Sequence, residues 1–302
     1  MTTAPFTLGT LSAPGGPTFP ALVVGDEIVD LRARWRDTAA ILDDWAGALP
    51  VLRTLAAEGD RQPLAGLTVH APVAPRQVLQ AGANYRTHVL DLAVKHGGDR
   101  AEAAAMMDRR IATGEPYFFL GLPTVITGPY DDVVLPAYSQ QHDWELELAA
   151  VIGRGGYGID PADAFDHVAG YTIVNDLTTR DLVFRKDMPE IGSDWFRAKN
   201  APGFLPTGPW LVPAEFVPEH PQITLRLNGD VMQDESTKDM IFDVATLVAV
   251  ASRTARLLPG DLILTGSPAG NGLHHGRLLR AGDVMEGTIT TLGTQRTRCV
   301  AP

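Results

Sequence analysis

The sequence predicts an α+β protein dominated by short strands, with a small N-terminal α/β layer ahead of a larger, mostly β domain. Three observations carry this reading. After Val78, short apolar runs rich in β-branched residues recur between Gly and Pro signals: VLQAG, TVITG, LELAAVIG, VAGYTIV, GPWLV, ITLRLNG, DLILTG and VMEGTITTLG. Helical spacing interrupts them only around His88–Thr113 and Phe242–Leu258. Strands and helices do not alternate regularly, and neither a phosphate loop nor a dinucleotide fingerprint occurs, so a doubly wound nucleotide-binding sheet is not expected.

In chain order, residues 1–75 read as the small N-terminal domain and 76–302 as the main domain. Within FPALVVGDEIVDL, two apolar runs flank Gly25-Asp26, a hairpin signal. From Ala39 to Glu58 apolar residues recur at helical spacing, with a break expected at Pro50. The stretch HAPVAPRQ, His70 to Gln77, reads as a linker. Further on, AEAAAMMDRRIA reads as a helix whose methionines pack.

The 302 residues, 45% hydrophobic and 20% charged, suffice for a real core. A net charge of -11 without a Lys/Arg cluster argues against nucleic acid as a partner. The single cysteine, Cys299, cannot form an internal disulfide, and no chemistry-rich motif surrounds it. The start MTTAPFTLGT has no basic segment followed by an apolar one, and no apolar stretch approaches the ~20 residues of a membrane span. A soluble, cytoplasmic protein without membrane partners is expected.

The chemistry concentrates in HDWELELAAVIG, residues 142–153. Alternate side chains of a strand share a face, so Glu145 and Glu147 point the same way as Ala149 and Val151. Two carboxylates heading an otherwise apolar face repel each other, and a divalent cation is the simplest compensation. Asp176, ending the run VAGYTIVND, is a third candidate ligand. Three carboxylates without a His/Cys set suit Mg²⁺ or Mn²⁺, with Ca²⁺ as a further candidate, rather than zinc. The plainer alternative is a solvated acidic strand face.

Several segments taken in order resemble the fumarylacetoacetate hydrolase superfamily: AGANYRTHVLD, WELELAAVIG, VAGYTIVNDLTTRDL, WFRAKNAPGFLPTGPWLV, LNGDVMQDESTKDMIFDVATLVAVASR, LLPGDLILTGSPAGNG and LRAGDVMEGTITTLGT. The resemblance implies a mixed β-sandwich roll, a homodimer, and a divalent metal held by Glu145, Glu147 and Asp176. It implies substrate contacts from Tyr85, Arg86, Arg180, Thr265, Gly266 and Ser267, and a catalytic Lys199 that holds the substrate's carboxylate or developing oxyanion together with Arg180. It further implies a catalytic His88 oriented by Asp91, three residues on and so on the same helix face. Asp91 stands where several members have Glu, one methylene longer.

The activity this implies is hydrolysis of a C–C bond in a small 1,3-diketo or oxo-acid substrate, with His88 activating water. The alternative is an isomerase or tautomerase, decarboxylase or hydratase using the same enolate chemistry. Departures from the family pattern at Val183, Asn200–Pro202 and Leu120–Gly121 each remove a polar or cationic group near the pocket, which points to a differently shaped or less charged substrate. His142, His274 and His275 are weaker candidates, and His70, His96, His167 and His220 read as surface or structural.

Overall fold

The computed structural model describes residues 5–95 and 97–302, so His96 lies outside the described residues. The fold is mixed α+β with more strand than helix. Its first layer is a five-stranded antiparallel sheet in the order Gln62–Pro63, Glu27–Asp30, Phe19–Val24, Thr7–Ser12, Thr68–His70. The expected hairpin turns through Gly25 and Asp26, and Gly25 takes the positive φ of 63° that such a tight turn favours.

Two helices follow, Thr38–Leu42 and Trp45–Glu58. Pro50 lies inside the second and does not break it. The break falls instead at Asp43–Asp44, because Asp44 caps the second helix by accepting from the Gly47 amide at 3.3 Å. Phe6, Leu8, Leu22, Leu42 and Leu52 of this layer share one buried core with Ala149, Val151, Leu262 and Leu264 of the main body.

The main body centres on a six-stranded sheet ordered Val212–Pro213, Val168–Asn175, Leu146–Ile152, Leu262–Leu264, Val78–Gly82, Tyr117–Gly121. Neighbours are antiparallel, except that Leu262–Leu264 runs parallel to Val78–Gly82. A second sheet runs Asp230–Ser236, Gln222–Leu227, Val284–Ile289, Gly293–Val300, Val133–Val134. Two expected strands shrink. TVITG is largely a 3-10 turn followed by Ile126–Thr127. GPWLV contributes only Val212–Pro213 with the residue after it, since Pro209 has no amide to give a ladder.

The helical pattern after His88 divides into Arg86–Lys95 and Arg100–Thr113. Gly97, at φ 82°, sits between them, and Asp99 caps the second by accepting from the Ala101 and Glu102 amides, both at 2.9 Å. Met107 packs into the core, whereas Met106 is exposed. Among the described residues no helix is long and apolar enough to cross a membrane.

The strand Leu146–Ile152 is buried on both faces. Leu146, Leu148, Ala150 and Ile152 enter one core, while Ala149 and Val151 enter the other. Burying such side chains contributes about 1.5–3 kcal/mol each for the larger ones, so a one-residue slip would sacrifice both cores. Register is thereby fixed, and with it the position of every charged residue at the strand's open end.

The neighbouring strand is equally constrained. Gly170 pairs with Pro213, and a Cβ there would lie 2.0 Å from the Val212 carbonyl oxygen. Gly170→Ala is expected to cost about 1–3 kcal/mol through forced backbone displacement, read as a lower denaturant midpoint at unchanged m-value.

Candidate active site

Antiparallel register pairs Leu146 with Asn175, and the Asp176 amide donates to the Glu145 carbonyl at 2.8 Å. The beginning of one strand and the end of the next therefore deliver Glu145, Glu147 and Asp176 to one place. Each offers an oxygen, all within 4.8 Å of one another. All three are buried, at 9%, 3% and 2% exposure, which removes the solvated-face alternative.

Two cations reach into this cluster. Lys199, at the end of the short helix Trp195–Lys199, donates to Glu145 Oε2 at 2.5 Å, Asp176 Oδ2 at 2.6 Å and the Asp176 carbonyl at 2.8 Å. Arg180 bridges Asp143 through Nε and Glu145 through Nη2, both at 2.7 Å. The Gly266 amide donates to Glu147 at 2.8 Å, and Gln80 Nε2 to Asp176 at 2.6 Å.

The charges do not balance. Asp143, Glu145, Glu147 and Asp176 face only Arg180 and Lys199, which leaves two negative charges in excess. Burial alone would raise Glu145, but Arg180 and Lys199 outweigh it and hold its carboxyl well below the usual range. Glu147 lacks such a partner; burial and then the adjacent Asp176 push its carboxyl well up. Asp176 is raised by burial too, against the opposing pull of Lys199. Burial opposes the charge on Lys199, yet Asp176 and Glu145 keep its ammonium above the ordinary value.

A divalent cation fits these residues. It would cancel the excess charge and accept oxygen donors alone, the preference of Mg²⁺, Mn²⁺ or Ca²⁺. Gln80 Oε1 is a further buried oxygen without a hydrogen-bond partner at the same spot.

A cavity of about 170 Å³ opens above the cluster. It is lined by Glu145, Glu147, Asp176, Arg180, Lys199, His88 and Ser267, with Ala81–Ala83, Leu92, Tyr117, Phe119 and Trp195 around them. His88 is buried in the wall, and that burial lowers its pKa below the ordinary value, against the pull of Glu145.

Other residues expected at the site stand elsewhere. Asp91 gives its carboxylate to Arg100 at 2.9 Å and lies 3.7 Å from His274 Nδ1. Among the described residues no hydrogen bond links it to His88. The shorter side chain stays at the helix surface, where an arginine is the stronger partner. Arg86 pairs with Asp108 across the two lid helices at 2.8 Å. Tyr85 is fully buried outside the cavity lining, and Thr265 supports the turn by donating to the Leu148 carbonyl at 2.9 Å. Gly266 acts on Glu147 from behind rather than lining the cavity.

His142 and Cys299 are structural. His142 is held by Thr179 and the Pro136 carbonyl, both at 3.0 Å. Cys299 is buried, and burial pushes its thiol up to about 12, which fits the expectation of an inert residue.

Asp143 was absent from the expected site, although the same alternation that groups Glu145 with Glu147 includes it. Fully buried, it accepts from the Gly272 amide at 2.5 Å and Leu273 at 3.2 Å while holding Arg180. It thus ties the short helix Gly272–His275 to the arginine behind Glu145. The aromatic wall of Phe119 and Trp195 carried no local signal, because it is assembled from an edge strand and a helix far apart in sequence.

Comparison with known proteins identifies the family. Residues 77–300 match the family described as fumarylacetoacetate (FAA) hydrolase C-terminal. The human mitochondrial oxaloacetate tautomerase FAHD2B is 37% identical over 246 residues, covering 80% of this chain and 72% of the human protein. A 2-hydroxyhepta-2,4-diene-1,7-dioate isomerase from Mycobacterium marinum is 29% identical, with a TM-score of 0.72 over 98% of both chains. The maleylpyruvate hydrolase of Sphingobium sp. SYK-6, solved with manganese(II) and pyruvate, is 28% identical with a TM-score of 0.76, covering 98% of this chain and 99% of that one. With its residues from Gln77 onward matched almost to the C-terminus, the chain belongs to the fumarylacetoacetate hydrolase family.

Proposed function

We propose that this chain is a divalent-metal-dependent tautomerase or isomerase of a small 2-oxo acid. The observation that carries the reading is the state of His88: buried in the cavity wall, favoured neutral, and without the carboxylate partner that water activation calls for. An imidazole in that state is suited to taking a proton from carbon and returning it. The tautomerase and isomerase names of similar proteins support the same reading. C–C hydrolysis is the less favoured reading, since it asks for a His88–Asp91 dyad and Asp91 is engaged by Arg100.

Glu145, Glu147 and Asp176 would hold Mg²⁺ or Mn²⁺. Once bound, such an ion supplies Lewis-acid stabilisation to the enolate oxygens of a 2-oxo acid. The protein's own groups do the rest. Lys199 and Arg180 keep Glu145 ionised and fixed in place. Gly266 and Gln80 orient Glu147 and Asp176. His88 exchanges the proton on the carbon beside the 2-oxo group, and Leu92, Phe119 and Trp195 shield that transfer from bulk water.

The test is ultraviolet decay of freshly dissolved enol forms of 2-oxo acids with metal-loaded and EDTA-treated protein, with products identified by mass. Metal-dependent decay with the carbon skeleton intact is expected. Cleavage into two acids would replace the proposal with the hydrolase reading, and loss of CO₂ with the decarboxylase reading.

A further inference from the structure

We propose that the preferred substrate is a 2-oxo monocarboxylate whose far end is flat and uncharged, an aryl-substituted pyruvate rather than a dicarboxylate. This deepens the functional reading above and rests on it for the chelating end of the substrate.

The first argument is the supply of cations. A second carboxylate needs a cation or several free donors, because a buried anion without them is strongly disfavoured. Lys199 has three N–H donors, and all three are already given to Glu145, the Asp176 carboxylate and the Asp176 carbonyl. Arg180 is spanned between Asp143 and Glu145. Of the lid arginines, Arg86 pairs with Asp108 and Arg100 with Asp91, Arg110 donates to the Ala83 carbonyl at 3.2 Å, and none of these nor Arg109 lines the cavity. Four carboxylates, two cations and one divalent ion sum to zero before substrate enters. The substrate's first carboxylate can lie against the ion, but a second finds no uncommitted cation in the described cavity lining.

The second argument is the opposite wall. Phe119 and Trp195 stack with centroids 4.7 Å apart at 16°, and Tyr117 lies 6.1 Å from Phe119. Together with Leu92 they form an apolar face directly beside the charged one, Lys199 Nζ being 5.9 Å from the Phe119 centroid. Aromatic faces favour stacked or edge contact with another ring over contact with a carboxylate.

Calorimetric titration of the Mg²⁺-loaded full chain with phenylpyruvate and with fresh oxaloacetate tests this, alongside the tautomerisation rate of each. Phenylpyruvate is expected to bind at least about tenfold more tightly. Trp195→Leu should erase most of that advantage by weakening phenylpyruvate binding far more than oxaloacetate binding. Phe119→Lys, which places a cation in the wall, should move the ratio toward oxaloacetate by about tenfold or more. Both positions are partly exposed, and circular dichroism confirms that each variant is folded before titration.

Equal or tighter binding of oxaloacetate by the parent protein overturns the proposal, even if both compounds are tautomerised. Preserved selectivity for phenylpyruvate in both variants overturns it as well. Selective binding of phenylpyruvate without tautomerisation of either compound upholds the pocket's specificity and removes the tautomerase reading instead.

Discussion

His88→Asn is expected to lower kcat/KM for enol–keto interconversion by about 10²–10⁴-fold while leaving metal affinity within a few-fold. Once an ion is held by the carboxylates, the imidazole is the titratable group of the described cavity lining left to carry a proton near neutral pH. Glu145, Glu147 and Asp176 are committed to the ion, and Lys199 is held charged by two of them. Asp91→Asn is the informative companion. If Asp91 is occupied by Arg100 and not by His88, its loss should change the rate by no more than about threefold, whereas a water-activating dyad would lose far more.

The pH profile carries a matching expectation. Proton abstraction needs neutral imidazole, and burial lowers the His88 pKa from its ordinary 6.5. The rate should therefore fall only as pH drops below that value and stay flat through neutrality. An acid limb at or above pH 6.5 would mean that the titrating group is not a buried, partnerless histidine. A His88→Asn variant that retained full activity would remove this residue from the mechanism altogether.

Lys199→Met is expected to destabilise the metal-free protein by about 3–5 kcal/mol, because it leaves Glu145 and Asp176 buried without their shared cation. The methionine stem fills the same channel, so packing is not the cause of the loss. The deficit should shrink markedly in saturating Mn²⁺, which adds back two charges and stabilises the native state by mass action. It should also shrink as pH falls. Carboxyls raised in the folded state bind more protons there than in the unfolded chain, so lowering pH toward and below their folded values favours the fold. Urea midpoints measured with EDTA and with Mn²⁺, at two pH values, decide the matter. An equal loss of stability in both media would mean that no cation is held by these carboxylates.

Much of the fold and part of the site could be read from local pattern. The short, largely apolar runs Leu146–Ile152 and Val168–Asn175 read as strands, and the turn at Gly25-Asp26 is written in two adjacent residues. Periodicity placed the lid and the Val244–Thr254 helix, because side-chain spacing is a property of neighbouring residues. It misplaced the helix break at Pro50 because capping by Asp44 competes with proline chemistry and wins. The carboxylate pair was legible too, since a strand's period of two forces Glu145 and Glu147 onto one face.

What no local pattern could decide was who partners whom. Whether His88 meets Asp91 depends on where Arg100 emerges from the next helix, and whether Arg180 is free for substrate depends on a fully buried Asp143 held by the Gly272 amide. Ion pairing at these distances is a contest among groups brought together from strands and helices up to 130 positions apart, and a few tenths of an ångström settle each contest. The sequence by itself determined that carboxylates gather at one end of a strand face. Only the tertiary structure decided which of them remain unsatisfied, and those are the ones left to bind a cation and a substrate.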